Sequence, residues 1–123
     1  MIGELRKVRT PFYDVKTRQM RVKARPCLVI GQSDSDEYVI LPVSRVTAAG
    51  RVNQDYDIPL DPAAYPDLHL TSVCYVRTHK QTTAYVTNIG DQIADMKGSY
   101  EELYLDVLAK WEQFGENVMR EAL

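Results

Sequence analysis

Up to residue 99 the chain alternates short apolar runs with polar stretches, and after it the apolar positions change period. The stretch "ELRKVR" at 4–9 alternates apolar and polar side chains and reads as an edge strand. Pro11 is expected to end it, which leaves "FYDVKTRQMRVKA" as a long polar connection. Next comes "PCLVIG", a continuous apolar run bounded by Pro26 and Gly31, the pattern of a fully buried strand. Asp and Ser side chains bond readily to neighbouring backbone, so "QSDSDE" predicts a turn. The run "YVILPVS" is a second buried strand, in which Pro42 predicts a bulge or an early end. A flexible loop, "TAAGRVNQDYD", leads to "DIPL" and then to "DPAAYPDL", a turn or one short helix. Two more strands, "SVCYVRTH" and "TAYVTNI", join near "KQT", and "QIADM" reads as a last short strand.

The period then becomes helical. Leu103, Val107, Trp111, Phe114 and Val118 recur every three or four residues and define one face of an α-helix. Ser99 followed by Glu102 fits a capping box at its start. Many short strands and one long terminal helix predict a mainly β fold with α, a small, strongly curved sheet or barrel with the capped helix packed against it. At 123 residues, with 45% hydrophobic and 26% charged, residues 1–123 form a single domain with one core.

No apolar run approaches the roughly 20 residues of a membrane span, and "MIGELRKVRT" has no apolar signal core. Cys27 and Cys74 both sit in apolar runs, which fits buried core thiols in a reducing cytoplasm. The net charge of −2 hides an asymmetry. Residues 1–25 carry eight Lys/Arg against two Asp/Glu, whereas residues 91–123 carry three against eight. A basic N-terminal segment is what a phosphate-binding surface needs.

The sequence contains no glycine-rich phosphate loop, no metal-ligand spacing of Cys or His, and no Gly-x-Ser-x-Gly elbow. Ser44 and Ser72 have no histidine beside them, so a Ser-His-Asp hydrolase is poorly supported. Of the two histidines, His79 is the better acid–base candidate and His69 the weaker. What remains is a set of cations and hydroxyls at strand ends: Arg25, Ser44, Arg45, Arg77 and Thr78. Arg45 is expected to cap a strand or bridge to the acidic helix. Such a set suits phosphodiester chemistry on RNA, where the substrate's 2′-OH is the nucleophile. The protein then has to orient that hydroxyl and stabilise an anionic phosphorane, and arginine grips two phosphate oxygens without losing its proton.

"RPCLVIG", then "YVILPVS", then "VRTHK" and a C-terminal helix together resemble the MazF/PemK toxins of bacterial type II toxin–antitoxin systems, over about residues 3–114. The resemblance implies an SH3-like barrel, a homodimer, and a cytoplasmic endoribonuclease that cuts single-stranded RNA without metal or other cofactor. It further implies products with a 2′,3′-cyclic phosphate and a 5′-hydroxyl, and a cognate antitoxin as partner. Arg25 matches the family's catalytic arginine, held at the strand base by Pro26. Ser44 stands where the family usually has threonine. Lys16, Arg18, Gln19, Arg21, Lys23, Arg77 and Thr78 are the expected RNA-binding residues, although Arg77 and Thr78 match an Arg-Thr pair that in the family is structural as readily as catalytic.

Two positions depart from the family pattern. The stretch "KTRQMRVKAR" lacks the usual Glu/Gln-Gly, so the base-reading contacts must differ. Cys74 stands where some members carry an acidic residue, so an acid–base partner must come from His79 or from residues 10–24. The rival reading is a non-catalytic binding module on the same barrel, such as a topoisomerase-inhibiting relative or an inactive copy.

Overall fold

The computed structural model describes residues 1–46 and 49–123. Seven strands form one sheet: β1 (Glu4–Asp14), β2 (Gln19–Asp34), β3 (Glu37–Ser44), β4 (Asp57–Leu60), β5 (Cys74–Arg77), β6 (Thr82–Tyr85) and β7 (Ile89–Asp95). Their order is β4-β5-β3-β2-β1-β7, with β6 also on β3. Helices α1 (Met96–Ser99) and α2 (Glu101–Ala122) follow. The fold is mainly β, a curled half-barrel sheet with one long C-terminal helix. The first two residues of the expected 47–57 loop lie outside the described residues. No helix among the described residues is long and apolar enough to cross a membrane.

The main core lies inside the curl. Leu5, Leu28, Leu41, Leu60, Leu68, Val76 and Met96 are fully buried there with Val107 of α2. Each such side chain is worth about 1.5–3 kcal/mol relative to exposure. Strand alternation sends Val8, Cys27, Val29 and Ile40 to the opposite face, where they form a second, smaller cluster. Cys27 and Cys74 are both buried and unpaired, as the apolar runs predict.

Several boundaries differ from expectation, each for an identifiable reason. β1 is not an edge strand, because β7 pairs with it from Glu4 to Val8. Beyond Val8 one side of β1 is open, and there a proline is tolerated. Pro11 therefore pairs with Val22 and the strand continues to Asp14. The expected polar connection is the outer half of a long β1–β2 hairpin, closed by a turn at 15–18. Asp14 holds this turn, its carbonyl accepting from the Arg18 N–H at 2.8 Å and its carboxylate from the Lys16 N–H at 2.9 Å. Pro42 neither ends β3 nor bulges it. It sits between the residues of β3 paired with β6, which end at Ile40, and those paired with β5, which begin at Val43. The irregularities fall instead at Val29/Gly31 and Gln32/Asp34 in β2.

The capping box does not form. Ser99 closes α1, whose start is capped by the Asp95 carboxylate accepting from the Gly98 N–H at 3.0 Å. Tyr100 precedes α2 without a side-chain cap, and Glu101 and Glu102 face the positive end of the helix dipole. The predicted helix face is real at Leu103 and Val107 but runs off the core, leaving Val118 45% exposed. Tyr100 instead ties the helix start to the short 3₁₀ turn Pro66–Leu68, its hydroxyl donating to the Asp67 carboxylate at 3.2 Å.

Candidate functional site

Arg25 and Ser44 lie just beyond the end of the β2–β3 ladder. The β2–β3 ladder pairs Leu28 with Leu41 and Cys27 with Pro42. Beyond that pair the strands part: Arg25 of β2 pairs with Val8 of β1 and Ser44 of β3 with Tyr75 of β5, and both residues line the opening between them. The Arg25 guanidinium lies over the Phe12 ring, 5.8 Å from its centroid. A cation at that distance from an aromatic face is attracted by the ring quadrupole.

The surrounding surface is a cleft of about 730 Å³. Lys7, Lys23 and Arg25 border it from β1 and β2, Ser44 and Arg45 from the end of β3, and residues 69–72 from the facing loop. Its lining carries four Lys/Arg side chains, three hydroxyls and no carboxylate among the described residues. A smaller pocket of about 200 Å³, lined by Thr10, Phe12, Arg25, Ser44 and Thr82, opens beside it. Arg25 and Ser44 belong to both. A doubly charged phosphorane would be stabilised in such a place, because cations act strongly where part of the surrounding water is excluded.

The other predicted residues divide sharply. Lys23 lines the cleft. Lys16, Arg18, Gln19 and Arg21 are exposed on the outer half of the hairpin and do not line it. Arg21 pairs there with Asp14 at 3.4 Å. Backbone hydrogen bonds from Lys16 and Thr17 help hold the Asp14 carboxyl below its ordinary range.

Arg77 is half-buried and Thr78 fully buried, and both are engaged within the protein. The Arg77 guanidinium donates to the buried Asp57 carboxylate at 3.2 Å, and the fully buried Thr78 hydroxyl donates to the Tyr56 carbonyl at 2.7 Å. The Thr78 hydroxyl and the Nε and Nη2 of Arg77 are thus engaged by Tyr56, Asp57 and Arg51. His79 joins the same cluster, not the cleft. Its ring stacks on Tyr56 at 5.9 Å and meets the edge of Phe114 at 6.3 Å. Its Nδ1 lies 3.7 Å from Asp57 and has no hydrogen-bond partner. Burial pushes the His79 pKa down, Asp57 pulls it back up, and Arg77 and Lys80 lower it further. The Arg-Thr-His run is thus a structural clamp between β4, β5 and α2.

Sequence reasoning missed Lys7, ranked His69 below His79 and set Ser72 aside, because these residues reach the cleft only through tertiary structure. It also misread Arg45, which is exposed, lines the cleft and has no ion pair among the described residues. The α2 carboxylates do not line the cleft, so the acidic helix stands apart from the basic surface. Cys27, beneath Arg25, is chemically quiet because burial pushes its thiol up to about 12.

No protein-family model matches the chain, and no curated protein matches it significantly.

Proposed function

We propose that the protein is the toxin of a type II toxin–antitoxin system, an SH3-like barrel of the MazF/PemK kind that cleaves single-stranded RNA without a metal. The observation that carries this reading is the carboxylate-free basic cleft that Arg25 and Ser44 both line. Arg25 would grip the scissile phosphate through its planar fork and stabilise the phosphorane. Ser44 would hold a phosphate oxygen or the attacking 2′-OH. Lys7, Lys23 and Arg45 would carry the flanking phosphates. The products are a 2′,3′-cyclic phosphate and a 5′-hydroxyl.

The same reading includes a C₂ homodimer and a cognate antitoxin that blocks the cleft. It is supported by the apolar side of the hairpin, where Tyr13, Met20 and Val22 are 57%, 66% and 56% exposed. An outer two-stranded ribbon of this kind is marginal without a partner. Light scattering at micromolar concentration should therefore report twice the chain mass, and a monomer would contradict the assembly. The activity is tested by incubating labelled single-stranded RNA with the protein in a chelator and mapping the product ends. Cyclic phosphates support the reading, and intact RNA overturns it.

A further inference from the structure

The cleft contains a histidine that the Arg-Thr-His run did not predict. His69 follows the 3₁₀ turn Pro66–Leu68 and adopts the left-handed backbone conformation, with φ 57°. That conformation is uncommon for a residue bearing a Cβ and turns the chain sharply there. His69 lines the same cleft as Arg25 and Ser44, on the facing loop. Its Nδ1 lies 2.9 Å from the Ile93 carbonyl oxygen of β7. A carbonyl only accepts, so Nδ1 carries the hydrogen and the neutral ring keeps its lone pair on Nε2. Nε2 makes no hydrogen bond among the described residues.

Fixing one ring nitrogen on a backbone carbonyl sets both the tautomer and the orientation of a working imidazole. His79 has neither advantage, since its Nδ1 is buried and its ring is packed between Tyr56 and Phe114. We infer that His69 is the general base of the RNA cleavage proposed above, and this assignment rests on that reading. Nε2 takes the proton of the 2′-OH as O2′ bonds to phosphorus. The P–O5′ bond then breaks with its electron pair on O5′, which takes a proton from water. The imidazolium returns its proton to the hydroxide so formed. No other species is consumed.

His69 also ties the loop to β7, so the test must separate a base from a tether. Glycine adopts the left-handed conformation freely and leaves space where the ring was. His69→Gly is expected to cut kcat on single-stranded RNA by about 10²–10⁴, the usual worth of a general base. Millimolar imidazole should restore part of that rate and leave the wild type unchanged. His69→Asn tolerates the same backbone and can still donate to Ile93, so it should melt near the wild type yet remain as slow as His69→Gly. Should His69→Gly fail to fold, the His69→Asn rate decides the matter alone. A folded variant within threefold of the wild-type rate would overturn the assignment, as would a slow His69→Gly that imidazole leaves slow. If the wild type itself leaves RNA intact, the cleavage reading falls and the base with it. Active histidine variants would sink only the base.

Discussion

The guanidinium of Arg25 rests over the ring of Phe12, 5.8 Å from its centroid. Phe12 lies on the β1 half of the hairpin, opposite Arg21, and Arg25 lies two periods of the alternation nearer the core on β2. The hairpin arm therefore sets the direction of the cation that the cleft is built around. An exposed contact of this type is worth about 0.5–1 kcal/mol. Phe12→Leu should accordingly slow RNA cleavage about two- to fivefold, with a loss of stability of no more than about 1 kcal/mol. An unchanged rate would show that the ring does not position Arg25.

The clamp around Asp57 predicts loss of stability, not loss of chemistry. Asp57 accepts from the Asn53 N–H at 2.8 Å and from Arg77 at 3.2 Å, and its side chain is fully buried. Asp57→Asn should cost about 1.5–3 kcal/mol and Thr78→Val about 1–3 kcal/mol, read as a shift of the urea midpoint. Cleavage per folded molecule should stay at the wild-type level in both. A selective fall in kcat for Thr78→Val would return that residue to the active surface.

His79 makes stability depend on pH in a definite direction. Burial is the main reason its folded pKa lies below the ordinary 6.5. The unfolded chain then binds the proton first. The stabilising contribution is complete above pH 6.5 and is lost as the pH falls below that value toward the lower folded one. The wild type should lose more thermal stability between pH 7.5 and about 5 than His79→Gln does. Equal losses in the two proteins, or a larger loss in the variant, would contradict this environment for the ring.

Much of this organisation was legible in the sequence, for physical reasons that also explain the misses. The continuous apolar runs around Leu28 and Leu41 announce strands buried on both faces, and the period at Leu103 and Val107 announces the helix. Arg25 and Ser44 could be placed because each lies a few residues from such a run. The outer hairpin could not, since a two-stranded ribbon open on both faces has no strong apolar alternation to display. The signal present was Pro11, Tyr13, Met20 and Val22, which pair across the turn in two matched steps. His69 and Lys7 enter the cleft only because distant segments meet, and local spacing carries no trace of that. His79 drew attention through its neighbours Arg77 and Thr78, yet the buried Asp57 twenty residues away in sequence recruits that end of the strand.

If the cleft tracks an RNA backbone, affinity must fall with salt. Three to five phosphate contacts on a single strand give a log–log slope of about −2 to −3.5. Replacing Lys7 and Lys23 together by alanine should flatten the slope by about 1.4 whatever the RNA sequence, whereas Glu112→Gln with Glu116→Gln should leave it unchanged. Fluorescence anisotropy with an uncleavable single strand across a salt series measures both. A flat wild-type slope, or duplex DNA bound as tightly as the single strand, would favour a binding module of another kind.

The central claim is that Arg25 stabilises the transition state of RNA cleavage. Its most direct test is the single-turnover rate on single-stranded RNA for the wild type, Arg25→Ala and Arg25→Lys, with product ends mapped and folding checked by circular dichroism. The wild type should leave 2′,3′-cyclic phosphate ends, and Arg25→Ala should be slower by about 10²–10³, the usual cost of one transition-state donor. Arg25→Lys should recover little, because a point charge cannot replace the bidentate fork. A folded Arg25→Ala that cleaves at a rate near the wild type would contradict the claim outright.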